Sequence, residues 1–263
     1  MDLQPANAPP KPNLLTSLKT RYARITIYQQ MIILLSLLVL INSANLGSQL
    51  LVNTTVTLAS VFVFHYVISK LRKKEQISYE SVTITGLLIA LILMPGELYA
   101  LAFASLVAVL SKRIKFNNRH VVNPAMSGIF AAVLLTNSSD SWLGASQLLP
   151  VLVFGLLIAQ KYRRLHLVIP FILTHTALSV AHRFYYNMHP VYQDVFGGLI
   201  YFLAFFMLLE PKTTPIRPNA RTAYGIISAV IIFALSLAMP KYAITGGLLL
   251  CNLLVQPIEK IVK

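Results

Sequence analysis

Apolar runs alternate with short polar segments along almost the whole chain. Ten runs can be drawn, at residues 25–41, 50–69, 82–94, 98–110, 124–135, 147–160, 165–181, 195–209, 222–239 and 242–255. A continuous helix needs ~20 apolar residues to cross ~30 Å of hydrocarbon, and several runs are shorter. We therefore predict an all-α integral membrane protein with about ten transmembrane segments, several of them partial or re-entrant.

The fifth run has an unusual beginning. A basic, Asn-rich lead from Lys115 to His120 precedes Asn123-Pro124, and proline suits the first turn of a helix. A polar, half-length helix in a membrane protein commonly lines a cavity, although an ordinary short helix between loops fits this stretch equally well. Its positive dipole end, with Arg119 nearby, can favour a flavin phosphate or a carboxylate. Arg119 and Asn123 are therefore candidate cofactor-binding residues.

Composition supports the membrane assignment. The chain is 56% hydrophobic and 11% charged, whereas soluble domains carry about 25% charged residues. The net charge of +14 comes from clusters between apolar runs, which is a membrane pattern, so we expect contact with the lipid bilayer and none with nucleic acid. The only cysteine, Cys251, lies in an apolar run, which excludes a disulfide framework and a cysteine-based metal site within the chain.

The basic clusters also predict an orientation. With the N-terminus inside, the even-numbered turns and both termini hold 20 of the 22 Lys and Arg, leaving only Arg183 and Lys241 outside. We therefore expect a multi-pass protein of the plasma (inner) membrane with both termini cytoplasmic. Residues 1–24, which are polar and Pro-rich without a signal-peptide core, are expected to form a disordered cytoplasmic tail. Residues 25–263 are expected to form one transmembrane domain.

An internal repeat is indicated by the short runs. ITGLLIALILMPGE in the third run resembles FGGLIYFLAFFMLLEP in the eighth, and the fifth and tenth are both short, Gly-containing and Pro-flanked. Five segments per copy is odd, so the second copy would enter from the opposite side. This predicts a 5+5 inverted repeat, residues 25–136 and 147–257, with a site at the interface of the copies. The alternative is that apolar segments resemble one another by composition alone.

Four polar residues near the interrupted runs are candidates for an ion pathway. Glu97 and Glu210 occupy equivalent places in the predicted repeat and could attract a cation or relay a proton, or could be solvated carboxylates at helix ends. Thr85 and Asn252 could bind an ion through their oxygens or simply join helices. No Gly-rich phosphate loop, Ser-His-Asp context or HExxH motif is present, so no catalytic or metal-binding residue is predicted.

Aromatic and histidine side chains have a structural and a functional interpretation. His65 and His175 lie in the second segment of each predicted copy, where an imidazole could shuttle protons or pack between helices. Trp142 and the tyrosines between residues 185 and 192 fit interfacial anchors better than a stacking platform.

The stretches ITGLLIALILMP, FNNRHVVNPAMSG and FGGLIYFLAFFMLLEPKTTPIRPNARTAYGI resemble the RnfD/NqrB family, over roughly residues 81–257. These are membrane subunits of the Rnf complex and of the sodium-translocating quinone reductase. The resemblance implies a ten-helix inverted-repeat fold related to urea and ammonium channels. It also implies a flavin-carrying subunit of a redox-driven Na⁺ or H⁺ pump, whose partners are other membrane and peripheral subunits.

The resemblance also implies a place for the flavin. The family attaches FMN through a phosphoester to Thr in an Asp-x-x-Ser/Thr-Gly/Ser-Ala-Thr segment on the outer side. Here the matching loop runs from Asp140 to Ser146. Asp140, Gly144, Ala145 and the hydroxyl of Ser146 agree with the pattern, whereas Leu143 departs from it and serine replaces the family's threonine at position 146. Covalent FMN at Ser146 is the expectation that follows, with noncovalent flavin or no flavin as alternatives.

Three functions are consistent with these observations. The first is a membrane subunit of an electron transport complex, part of a translocase or oxidoreductase. The second is a standalone transporter or channel for a small polar solute with the same fold. The third is a structural scaffold for partner subunits.

Overall fold

The computed structural model describes residues 25–71, 78–116, 119–187 and 197–262, except for the side chain at position 46. The predicted N-terminal tail, the basic residues 72–74, Asn117-Asn118 and residues 188–196 lie outside this description.

Helices dominate the described residues. They are α1 (Ile27–Leu46), α2 (Gln49–Leu71), α3 (Tyr79–Ile92), α4 (Leu98–Ser111), α5 (Pro124–Leu135), α6 (Leu148–Lys161), α7 (Leu165–Tyr185), α8 (Gly198–Phe202, continued by a π-helical turn, Leu203–Met207), α9 (Pro218–Ala238), α10 (Ala243–Leu253) and α11 (Val255–Ile261). A small antiparallel hairpin joins β1 (Lys115–Phe116) to β2 (Arg119–His120). The helical prediction is confirmed.

Each of the ten predicted runs coincides with one of the helices α1 to α10. Four of these, α1, α2, α7 and α9, are long and apolar enough to cross a membrane, and α10 with α11, bent by 46°, makes a fifth candidate. The remaining apolar helices are shorter. Ten crossings therefore stay a prediction, whereas a multi-pass helical membrane protein is supported by length and composition.

Helix α3 lies at the centre of the described bundle. From Ile84 to Ile92 every residue is buried, as expected for a short helix that is apolar on all sides. It packs against α1, α2, α4 and α5. Helix α8 takes a corresponding place against α6 in the second half, and the pairs α2–α4 and α4–α5 of the first half are matched by α7–α9 and α9–α10. Such pairing is expected of a repeat, whose inverted orientation stays a prediction.

Candidate functional site

The loop from Asp140 to Ser146 is held on the C-terminal end of α3. The backbone N–H groups of Ser141 and Trp142 donate to the Ile92 carbonyl at 2.7 and 3.0 Å, and that of Met94 donates to the Ser139 carbonyl at 3.0 Å. These bonds satisfy carbonyls that a helix end leaves unpaired. The loop is therefore a fixed part of the bundle.

Trp142 folds inward within this loop. Its left-handed backbone (φ 49°) turns the indole onto the Phe202 ring, with the ring centroids 6.3 Å apart, and the side chain is buried. The indole N–H donates to Asp140 Oδ2 at 3.0 Å. Burial raises the pKa of the Asp140 carboxyl, although the Trp142 hydrogen bond opposes this shift. Trp142 is thus packed inside the protein, which does not fit its interpretation as an interfacial anchor.

The remaining residues of the flavin-loop match differ in accessibility. A Cβ at Gly144 would lie 2.6 Å from the Phe202 ring, so close packing requires glycine there, and Ala145 is also buried. Ser146 is exposed. Its hydroxyl donates to Oδ1 of the buried Asn42. Of the matched residues, Ser146 is the exposed one that carries a hydroxyl, and this hydroxyl contacts Asn42.

Arg119 and Asn123 lie at the other end of α5 from this loop. The helix has 12 residues, and at 1.5 Å per residue it is ~18 Å long. The cofactor-binding candidates therefore divide into two groups at opposite ends of α5, and a single small site cannot contain both. Glu97 belongs to the end that holds the loop, because it follows the C-terminal end of α3. Its Oε2 is buried without a hydrogen-bond partner among the described residues.

Asn123 and Asn252 meet where α5 begins. Asn123 Oδ1 accepts the Met126 N–H at 3.0 Å as the helix cap, and its Nδ2 donates to the Met207 carbonyl at 3.2 Å. Asn252 Oδ1 accepts the Asn123 N–H at 2.7 Å, and its Nδ2 donates to Tyr224 Oη at 3.0 Å. These two side chains therefore join α5, α9, α10 and the π-helical turn.

Basic side chains fix the loop at residues 210–217, which follows the π-helical turn. Arg119 forms an ion pair with Glu259 at 3.1 Å and donates to the Thr214 carbonyl. Arg164, which is buried, donates to the Thr214 hydroxyl, and burial lowers the pKa of its guanidinium to about 10. Arg221 donates to the Pro215 carbonyl at 3.1 Å. Arg164 and Arg221, which we interpreted as orientation signals, therefore also hold this loop in place together with Arg119.

A cavity of about 40 Å³, enough for a few water molecules, lies where α3 begins. The polar or titratable residues that line it are Tyr28, Ser81, Thr85, Asn123, Tyr162, Glu210 and Lys212. Thr85 and Glu210, two ion-pathway candidates, thus share one cavity. Asn252 borders a neighbouring cavity, and Glu97 lies beyond the other end of α3.

Lys112 supplies a second charge near this cavity. It is 1% exposed, and its Nζ donates to the Ser81 carbonyl and hydroxyl, both at 2.7 Å. Desolvation lowers its pKa to about 7, while the negative charge of Glu210 opposes that shift. Desolvation raises the pKa of the Glu210 carboxyl to about 7, although the positive charges of Lys112 and Lys212 oppose this shift. One carboxyl and one ammonium group therefore share a poorly solvated region.

The residues matched by a family model extend over nearly the whole chain. The model describes the NQR2, RnfD, RnfE family and matches residues 18–144 and 131–263. The chain belongs to this family. A comparison with curated proteins gives no match.

Membership in the NQR2, RnfD, RnfE family confirms the resemblance stated above. It makes the chain a multi-pass membrane subunit of an Rnf- or Nqr-type electron transport complex. The two matches, one in each half, also suggest a repeat. The flavin loop and the ion-pathway residues stay predictions for this family member.

Sequence reasoning missed Lys112 because its basic cluster already had an explanation as an orientation signal. The position of Lys112 relative to the buried residues of α4 could have predicted its burial. Leu101, Ser105 and Ala108 are buried, and Lys112 continues their spacing of four, three and four residues onto the same face.

The two histidines considered as proton carriers, His65 and His175, are buried beside the rings of Tyr79 and Phe171 respectively.

Proposed function

We propose that this subunit carries FMN on the loop from Asp140 to Ser146, joined through its phosphate to the Ser146 hydroxyl. One observation carries the proposal. Ser146, at the position where the resemblance implies attachment, is exposed on a loop that α3 holds in place. Bound flavin would supply one-electron and two-electron chemistry. The chain would supply the attachment point and, through Trp142 and Gly144, a rigid support.

Electron transfer would be coupled to ion movement at the cavity beside Glu210. This cavity lies between α3 of the first half and residues 206–212 of the second half, as expected for a site between repeat copies. We propose a proton as the coupled ion. Lys212, and Lys112 when it is protonated, place positive charge near Glu210 and would repel Na⁺. A carboxyl with a pKa of about 7 can instead load and release a proton.

Flavin content tests the proposed attachment of FMN to Ser146. The intact complex is purified, and its absorption spectrum is recorded before and after acid precipitation of the protein. We expect flavin absorption to remain with the precipitated wild-type subunit and to be lost in Ser146→Ala. Ser141→Ala is the matched control, because Ser141 lies in the same loop and its hydroxyl contacts the Leu93 carbonyl instead. An intact complex without flavin contradicts the proposal.

Donor-driven ion transport in proteoliposomes tests the proposed coupling of electron transfer to proton movement. We expect the complex to acidify or alkalinise the lumen only when an electron donor is added, without a requirement for Na⁺. A strict Na⁺ requirement would reject the proton assignment. Uptake of a small polar solute by the isolated subunit without any donor would instead support the standalone transporter.

A further inference from the structure

A basic cavity of about 250 Å³ lies beside the β1–β2 hairpin and the junction of α10 and α11. Its basic lining residues are Arg119, His120 and Lys212. Arg119 is already occupied by Glu259 and by the Thr214 carbonyl. Lys212 is exposed, and His120 is 5% exposed. These two are therefore the groups that remain for a ligand.

His120 is a buried residue of this cavity with positive charges nearby. Its Nδ1 has no hydrogen-bond partner among the described residues. Burial and the positive charges of Lys212, Lys112 and Lys115 lower the pKa of His120 to about 4, against a hydrogen bond to the Lys112 backbone. Burial first, and these positive charges second, therefore disfavour the protonated ring. An anion bound in the cavity would offset the positive charges and favour protonation of His120.

An apolar groove of about 350 Å³ adjoins the basic cavity. Leu253 lines both, and the consecutive residues Val121 and Val122 line one each. The groove runs between α5, α9 and α10 from Leu253 to Tyr242, almost the whole of α10. Eleven residues at 1.5 Å each give ~16 Å, close to half of a ~30 Å hydrocarbon core. One acyl chain of one leaflet has this reach.

We propose that an anionic phospholipid occupies both cavities, with its phosphate beside Lys212 and His120 and one acyl chain along α10. The positive cavity at one end and the purely apolar groove that continues from it match the two chemical parts of such a lipid. The basic end lies on the side that the Lys and Arg distribution predicts to be cytoplasmic, where anionic lipids concentrate. A net positive cavity favours an anionic headgroup over a zwitterionic one.

Lipid retention tests this proposal. The complex is purified in detergent, and lipids bound to the subunit are measured by native mass spectrometry after addition of phosphatidylglycerol, phosphatidylcholine or inorganic phosphate. We expect phosphatidylglycerol to be retained in preference to phosphatidylcholine. Lys212→Gln should weaken that retention roughly fivefold, since one lysine near a lipid phosphate contributes ~1 kcal/mol. Lys241→Gln is the matched control, because Lys241 adjoins the opposite end of the groove beside Tyr242.

Blocking variants test the acyl chain separately. A Cβ at Gly246 already lies 3.2 Å from the Phe130 ring, so Gly246→Leu should fill the groove and abolish retention. Leu250→Trp, at an exposed groove residue, is the second variant in case the first fails to fold. Unchanged retention in Lys212→Gln and in a folded blocking variant overturns the proposal. Competition by inorganic phosphate, with no effect of blocking the groove, overturns it in favour of a phosphate-only cavity.

Discussion

The backbone N–H of Asn123 donates to the side-chain oxygen of Asn252 at a distance of 2.7 Å. This contact joins the first residues of α5 to the last turn of α10, the fifth and tenth segments of the chain. Both asparagines are buried. A polar contact between two short helices is thus part of the core on the side opposite the candidate flavin loop.

Asn252→Ala should destabilise the subunit by about 2 kcal/mol. The change leaves the buried Asn123 N–H without its acceptor and removes the Asn252 donor to the Tyr224 hydroxyl. An unsatisfied buried group costs ~1–3 kcal/mol. Thermal unfolding in detergent measures the effect. Asn45→Ala is the control, because that exposed side chain donates only to a carbonyl of its own helix. Equal losses of stability in the two variants would contradict a structural role for the Asn252 side chain.

Glu210→Gln should change the pH dependence of stability. The carboxyl has an ordinary pKa of 4.5 and a pKa of about 7 in the folded protein, so the folded state binds more protons between these values. Its stabilising contribution is therefore complete below pH 4.5 and is lost as the pH rises to about 7. The wild type should lose stability relative to Glu210→Gln over this interval. Melting temperatures that stay parallel from pH 5 to 7 would contradict the assignment.

Lys112→Met should raise the pKa of Glu210 further, because it removes a positive charge that favours the carboxylate. If Glu210 carries the coupled proton, the pH optimum of donor-driven ion transport should move to higher pH. Lys260→Gln provides the control at an exposed basic residue of α11. If the pH optimum of transport is unshifted in a folded complex with Lys112→Met, then Lys112 does not influence the transported proton.

Gly144→Ala should destabilise the subunit by about 1–3 kcal/mol, the usual cost of overpacking. The added methyl group would lie 2.6 Å from the Phe202 ring. Replacing Phe202 with Leu in the same chain should recover part of the loss, because it removes the ring that the methyl group meets. Thermal unfolding of both single variants and of the double variant measures the coupling, and simple additivity would argue against this contact.

Much of the helical framework could be predicted because it follows from local pattern. Pro124 and the Asn123 cap set the start of α5 at the predicted residue, and the apolar runs locate the other helices. The direction of individual side chains could not be predicted. Lys112 at a helix end could extend to water or fold onto Ser81, and only packing with α3 decides this. Trp142 likewise turns inward because of one left-handed backbone residue.

Which site residues lie together could not be predicted from their separation in sequence. Asn123 and Ser146 are close in sequence, yet α5 separates the regions in which they lie. Conversely, Thr85 and Glu210 are far apart in sequence and line one cavity. Contacts of this second kind depend on how the two halves of the chain pack.

The mass of the peptide that contains Ser146 tests the central claim most directly. The subunit is purified from its native complex, digested, and analysed by mass spectrometry with fragmentation. We predict one FMN, less one water, attached to the Ser146 oxygen, and its loss in Ser146→Ala but not in Ser141→Ala. A flavin-containing complex in which the Ser146 peptide has its unmodified mass would contradict covalent attachment at this residue.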